Sequence, residues 1–478
     1  MKGFIPLALF FLLLSVPYLS FPPDDDVGGH LTAARGLLEG KRIYSDYLDN
    51  KGPMLYLSLV PAVLIAGKSL AALRLIALAI TVLCALLTYL SAMRCFGRQA
   101  ALIACAIFFF LALDPFTEAF ELRSELFIAL SLSAMAYSII ESKHDERLWA
   151  GAGLALGYAV LIKPSIGILI LPLLYLVPKR KAPLACLASG LLAMLCVFLL
   201  MLQAGIFRLD DYIHVSILKP SGVAGQLAGQ FPFLAVLAGL LTFPLGLICL
   251  ACSVFFIAYF GKLGQGAAFG ALFLPLFAAL ILWLLSAVGV YNSLLLMFLP
   301  LASVALSLMM AKLGALVERG KIGLEFAILS PPVFAIAFAA VTIPVLLFSA
   351  WLYGPIPGQN SEGTDLTREE FDGVVSFIDS NTGANDTILA YELMPVFYYY
   401  SGREPASPAL WFAPSEENVS YYSPAELDAL LFGKLRAKTP KYVIIDPNGA
   451  KDAKVMAELS KTYRPEAKIG RFDIYSRR

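Results

Sequence analysis

The sequence predicts a polytopic α-helical membrane domain followed by a small α/β domain, and three observations carry that prediction. Mean hydropathy is +0.76 and 15% of the residues are charged, against roughly 25% in a soluble globular domain. The charge is unevenly placed: residues 353–478 hold 32 charged residues, 18 acidic and 14 basic, while the first 352 hold 39. Apolar runs of bilayer-crossing length, about 20 residues, recur through residues 1–352 and stop there. The expected domains are therefore 1–352 and 353–478.

Taken in order, about eleven spans are expected: 3–21, 70–95, 98–113, 123–141, 148–162, 165–178, 182–204, 232–260, 266–287, 289–311 and 326–352. The first lacks a small-x-small cleavage pattern after Ser15 and reads as a retained span. Residues 54–67 are too short to cross and contain Pro61, which suits an interfacial or re-entrant helix. Lys and Arg gather in alternate loops: Arg94 and Arg98, Lys143 and Arg147, Lys179 to Lys181, Lys262, then Lys312, Arg319 and Lys321. By the positive-inside rule that side is cytoplasmic. The first loop (22–69), the acidic 114–125 loop, the 205–231 loop and the C-terminal domain then face outward, in a plasma or inner membrane. Trp351 and Tyr353 mark the membrane boundary of the C-terminal domain.

In the C-terminal domain Thr367 and Glu370 form a capping box opening a helix to about Ser380. Strands are expected at 387–391, 441–446 and 468–476, with helices near 424–437 and 451–463. Seven cysteines, Cys84, Cys95, Cys105, Cys186, Cys196, Cys249 and Cys252, all fall in or beside apolar runs and read as helix-packing residues. A net charge of +1 argues neither for nor against nucleic acid, but no basic face would track a phosphate backbone, so no nucleic-acid partner is expected.

Chemistry concentrates in the first loop. Asp24, Asp25 and Asp26 follow the first span directly, where carboxylates are costly to desolvate and mark a functional site. Residues 29–39 form a short amphipathic helix with Leu31, Ala34, Leu37 and Leu38 on one side, ended by Gly40. Tyr44, Asp46, Asp49, Asn50 and Lys51 follow. Competing roles are ordinary ones. Asp25 could cap the following helix, Lys163 could snorkel at a helix end, and Arg123 could pair with Glu118, Glu121 or Glu125. His30 and His214 read as solvated loop histidines, His144 as cytoplasmic, and Tyr291-Asn292 as an outer turn that could line a cavity.

The run Ala34-Arg35-Gly36-Leu37-Leu38-Glu39-Gly40-Lys41-Arg42-Ile43-Tyr44, continued by Asp46, Asp49, Lys51, Pro53 and Tyr56, resembles the first outer loop of the GT-C glycosyltransferases. The nearest groups are the protein O-mannosyltransferases, the aminoarabinose transferase and related polyprenyl-phosphate-sugar-dependent enzymes. In that register the family's acidic pair falls on Asp25 and Asp26. Gly151 through Gly157 to Lys163-Pro164 is similar to a second family segment, and Arg123-Ser124-Glu125-Leu126 to a third. The chain departs from the pattern in having Asp26 in place of Glu and a third aspartate at 24.

The resemblance implies transfer of a sugar from a polyprenyl-phosphate donor to a lipid, glycan or protein acceptor, with inversion at the anomeric carbon. Asp25 is then the expected base, with Asp26 beside it, because an acceptor hydroxyl needs a carboxylate to take its proton. Lys51, Arg123 and Lys163 are expected to meet the donor phosphate, with Tyr44, Asp46, Asp49 and Glu125 among the substrate-binding residues. No obligatory cofactor is expected; Asp25, Asp26 and Glu125 could converge as hard oxygen ligands for a divalent metal. A transporter or flippase for a lipid-linked sugar is the main competitor, and it would place charges at mid-membrane in paired repeats. A polysaccharide ligase or polymerase would carry its large outer loop late in the chain.

Overall fold

The computed structural model describes residues 3–113, 117–178, 180–218, 366–391, 394–410, 439–446 and 453–478, with a few more between 296 and 304 and between 429 and 437. The expected spans 232–260, 266–287 and 326–352, most of 289–311, Cys249, Cys252, Tyr291-Asn292, Trp351, Tyr353 and most of the 424–437 helix lie outside the described residues.

The first expected span is an 11-residue helix, α1 (Phe4–Leu14), continued as a 3-10 turn over Val16–Ser20. Pro17 has no N–H to extend the helix, and the Ser15 hydroxyl bonds back to the Phe11 carbonyl at 2.8 Å. Next comes α2 (Asp25–Leu38), which starts four residues before the expected 29. Asp24 is its N-cap, accepting from Val27 N at 3.1 Å. Asp25 and Asp26 are thus first-turn residues, where the helix dipole favours negative charge. The capping role belongs to Asp24, not Asp25.

Helix α2 was expected to show one apolar face to the membrane interface. Instead every residue from Val27 to Ala34 is buried. The glycines explain how it can be so enclosed: a Cβ on Gly28 would strike the backbone of Val396 in the C-terminal domain. Helix α3 (Pro53–Ala66) opens with Pro53 at a position that needs no N–H donor and closes at Gly67, φ 52°. It packs on α2.

Helices α4 (Leu70–Phe96), α5 (Arg98–Ala112), α6 (Ser124–Glu141), α7 (Leu148–Ile162) and α9 (Lys181–Gln203) match their expected runs within two residues. Of the described helices, α4, α6 and α9 are long and apolar enough to cross a membrane. The pair α7 and α9 approaches closely through Gly153, Gly157 and Gly190, whose added Cβ atoms would meet backbone or Met194. The expected 165–178 span is broken into a 3-10 segment (Pro164–Leu169) and α8 (Ile170–Leu176). Pro164 forces the preceding Lys163 into an extended conformation and stops α7. A four-residue turn, α10 (Leu209–Tyr212), follows α9.

Arg94 pairs with Glu141 at 2.5 Å and Arg180 with Glu146 at 3.5 Å, so the basic loops share one end of the bundle. Glu125 lies at the opposite end of α6, about 24 Å from Glu141 at 1.5 Å per residue, so the helix as a whole approaches a bilayer's hydrocarbon thickness of about 30 Å.

The C-terminal domain opens with α11 (Arg368–Asn381), where both halves of the Thr367–Glu370 capping box form. Its five-stranded sheet has the order β2-β1-β3-β5-β4. The strands are β1 (Thr387–Ala390), β2 (Glu404–Pro405), β3 (Tyr442–Ile445), β4 (Tyr463–Ile469) and β5 (Phe472–Arg477). Strands β2, β1 and β3 are parallel, while β3, β5 and β4 are antiparallel. The single expected strand at 468–476 is therefore a hairpin turning at Gly470, φ 53°. Helix α12 (Val396–Ser401) was not foreseen, and α13 (Ala453–Thr462) was.

Helix α12 is the contact with α2. Arg35 donates to the Tyr398 and Tyr399 carbonyls at 3.2 and 3.3 Å, Lys68 donates to the Ser401 carbonyl at 2.7 Å, and Tyr399 donates to the Gly67 carbonyl at 2.5 Å. Cations near a helix C-terminus satisfy its last carbonyls. Leu48 N donates to the Pro408 carbonyl at 2.8 Å. The first loop is thus gripped by the C-terminal domain, and apolar residues of both share one core.

Candidate functional site

The first turn of α2, the 117–125 segment, the 49–53 arm and the end of α7 converge. Arg123, at the start of α6, is 4% exposed and faces three carboxylates: Asp26 at 2.7 Å, Asp24 at 3.4 Å and Glu118. A second buried arginine, Arg74, pairs with Glu121 and donates to the Tyr18 and Pro22 carbonyls, fastening the turn that leads into the aspartates. Three carboxylates crowd one guanidinium, and burial adds to the cost of their charge. Burial pushes the Asp24 carboxyl up and Glu118 up to about 8, and burial raises Glu121 to about 7. Asp26 goes the other way. Its burial is outweighed by Lys51, Arg123 and His30, which hold it below the usual carboxylate range.

Glu125, in the first turn of α6, accepts from Ser124 at 2.8 Å and pairs with Lys163 at 3.4 Å. It also lies within electrostatic reach of Arg123 and Lys51. Lys51 is delivered by a pinned arm. Gly52 N donates to the Ile162 carbonyl at 2.7 Å, and a Cβ on Gly52 would strike the Leu161 carbonyl. The Tyr44 hydroxyl donates to the Lys51 carbonyl at 2.7 Å. The two lysine-bearing motifs, far apart in sequence, are thus joined backbone to backbone.

Of the expected site residues, the structure brings together Asp26, Asp49, Lys51, Arg123, Glu125 and Lys163, and Asp25 lies in the same first turn of α2 as Asp26. Asp25 is 2% exposed. Tyr44 supports the arm through its hydroxyl. Asp46 is exposed and accepts from Arg42 N at 2.8 Å within a turn, so its carboxylate holds that turn. Among the described residues no three His, Cys, Asp or Glu side chains converge as a metal site. Asp26 and Glu125, two of the three oxygen ligands considered, are instead paired with Arg123 and with Lys163 and Ser124.

Sequence reasoning missed Arg74, whose position inside an apolar run was the available signal, and His30, which is 1% exposed and not solvated. Its Nε2 lies 3.2 Å from Asp49 Oδ2. His30 and Lys51, against burial, hold Asp49 down to about 2.

Comparison with solved structures identifies the fold. The chain has a GT-C-like fold, superposing on the ArnT structure from Cupriavidus metallidurans bound to undecaprenyl phosphate with TM-score 0.58 and 14% identity, over 99% of this chain and 97% of that one. The Archaeoglobus fulgidus oligosaccharyltransferase in complex with zinc and sulfate gives TM-score 0.57 and 14% identity, over 99% of this chain and 73% of that one. The same organism's AglB, in complex with an inhibitory peptide and a dolichol-phosphate, gives 0.54 and 13%, over 99% and 74%. Within that fold, residues 50–204 match the dolichyl-phosphate-mannose-protein mannosyltransferase family. That match spans Lys51, Arg123, Glu125 and Lys163. No curated protein sequence matches the chain.

Proposed function

We propose that this chain is an inverting glycosyltransferase that moves a sugar from a polyprenyl-phosphate donor to an acceptor hydroxyl at the extracytoplasmic face of the membrane. The observation that carries the reading is the buried carboxylate cluster at the start of α2, flanked by Lys51 and Lys163. The matched mannosyltransferase family and the polyprenyl phosphates in two of the structural relatives support the same donor class.

Asp25 takes the proton of the acceptor hydroxyl as its oxygen attacks the anomeric carbon from the side opposite the phosphate. The bond from that carbon to the phosphate oxygen breaks, and polyprenyl phosphate leaves with the electron pair. A phosphate leaving group needs cations, not a proton. Lys51 and Lys163 supply them. Arg123, expected to share that role, is already matched by Asp24, Asp26 and Glu118, and serves to hold the aspartates. Asp26 stays ionised beside it, and Asp25 returns its proton to solvent. One catalytic carboxylate suffices, unlike a glycosidase pair, and no step is routed through a metal. The acceptor is a lipid, glycan or protein hydroxyl.

The test is incubation of membranes containing the protein with radiolabelled polyprenyl-phosphate sugars of different sugar identity. One donor should be consumed, with polyprenyl phosphate released and the labelled sugar joined to an acceptor with its anomeric configuration inverted. Consumption of none, or movement of an intact lipid-linked sugar across the bilayer, would contradict the proposal.

A further inference from the structure

His30 lies four residues after Asp26 on α2, so its side chain sits one turn further along the same face as that carboxylate. Its Nε2 is 3.2 Å from Asp49 Oδ2, and both residues are buried, at 1% and 7% exposure. Asp49 begins the arm that ends in Lys51-Gly52-Pro53. Its second oxygen accepts from Asn50 N at 2.6 Å, which bends the chain toward Lys51. Tyr56, from α3, completes the group: its ring meets the imidazole edge-on at 6.3 Å, and its hydroxyl lies within electrostatic reach of Asp49. At the other end of the arm, the Lys51 carbonyl is held by Tyr44 at 2.7 Å and by Ser216 at 3.3 Å, and Gly52 is bonded to Ile162. Those contacts tie the arm to α7 and to the segment after α9. The His30–Asp49 contact ties it to the helix that bears the aspartates.

We infer that His30 is a positioning residue: through Asp49 it clamps the 49–53 arm onto α2 and so holds the Lys51 ammonium beside the carboxylate cluster. The inference rests on the glycosyltransferase reading for its kinetic consequence but not for its geometry. A reacting centre built from two segments loses alignment when the segments separate, and a displacement of about 1 Å costs on the order of a hundredfold in rate. A histidine that merely fills the core would cost stability without acting through Asp49.

The variants are His30→Leu, His30→Gln, Asp49→Asn and the double variant His30→Leu/Asp49→Asn. Gln retains an Nε2 donor at the position of the imidazole Nε2. His30→Leu and Asp49→Asn should each lower kcat/KM for the labelled donor by roughly 10- to 100-fold. The double variant should be no worse than either single one, because both remove one contact, and His30→Gln should recover most of the loss. Independently of transfer, each variant is combined with Lys51→Cys and probed with a membrane-impermeant maleimide. Labelling at position 51 should accelerate with His30→Leu and Asp49→Asn and stay slow with His30→Gln. Multiplicative losses in the double variant, or unchanged labelling when His30 is Leu, would overturn the clamp. Absence of any transfer by the parent protein would count against the glycosyltransferase reading, while the labelling would still decide the clamp.

Discussion

Replacing Arg123 with glutamine separates two roles for this residue, as a scaffold for the aspartates or as a contact for the donor phosphate. The guanidinium is buried among Asp24, Asp26 and Glu118. Glutamine can bond to one of them but carries no charge. Burial pushes Glu118 up to about 8 against the pull of Arg123, so it gives up its charge more readily than its neighbours. Asp26 is held below the usual carboxylate range by Lys51 as well as Arg123, so without Arg123 it keeps one cation and must otherwise take up a proton in its half-buried site. From an ordinary value of 3.8, protonation at pH 7 costs about 4 kcal/mol at about 1.4 kcal/mol per unit. That agrees with the 3–5 kcal/mol typical of breaking a buried ion pair by removing one partner. A loss of about 4 kcal/mol is a large part of a typical folding stability of about 5–15 kcal/mol. The assay is equilibrium unfolding in mixed micelles at pH 7, with Arg123→Gln compared to Arg123→Met/Asp26→Asn/Glu118→Gln. The single variant should lose up to about 4 kcal/mol, and the triple variant should regain part of it, because of the three carboxylates facing Arg123 only Asp24 then keeps an ionisable group. If Arg123→Gln unfolds within about 1 kcal/mol of the parent while the KM for donor rises steeply, Arg123 is a phosphate contact and the scaffold argument fails.

Two further predictions follow from the same geometry. Asp49 titrates at about 2 in the folded chain against an ordinary 3.8, so its contribution is fully present above about pH 4 and lost as pH falls through 2. The lost stability is about 2 kcal/mol; unfolding curves from pH 5 to pH 2 should converge for the parent and Asp49→Asn at the acid end, and curves that stay parallel would refute the assignment. Lys163→Ala should raise the KM for lipid-linked donor by roughly ten- to a hundredfold, the worth of a hydrogen bond to a charged group, with a smaller effect on acceptor. Equal effects on both would remove Lys163 from the phosphate site.

Local signals fixed much of the chain. Helices α4, α6 and α7 were legible because apolar runs end at Gly97, Glu141 and Pro164, and α11 because its capping box lies within four residues. Strands β1 and β3 were legible from their β-branched and apolar runs, TILA and YVII. What stayed hidden depended on distant partners. The early start of α2 requires Asp24 to act as cap and Val396 to cover Gly28, and the second residue lies in another domain. Strand β4 reads Tyr-Arg-Pro-Glu-Ala-Lys-Ile, mostly exposed, and is a strand because β5 pairs with it. The 165–178 run is apolar enough for a span, but apolar content does not report the backbone break at Pro164. In the site, residue types were readable and pairings were not. Arg123 and Lys163 were both visible as cations, yet one is saturated with carboxylates and the other keeps 29% exposure. His30 could not be distinguished from a solvated histidine until Asp49 and Tyr56 were seen against it.

The most direct measurement is single-turnover transfer from a radiolabelled polyprenyl-phosphate sugar by Asp25→Asn, with donor binding and thermal unfolding recorded on the same preparation. The account predicts a chemical step slowed by roughly 10²- to 10⁴-fold, the usual worth of a general base, with binding and stability little changed. Transfer at the parent rate would show that the proton goes elsewhere and would contradict the proposed chemistry of the α2 cluster.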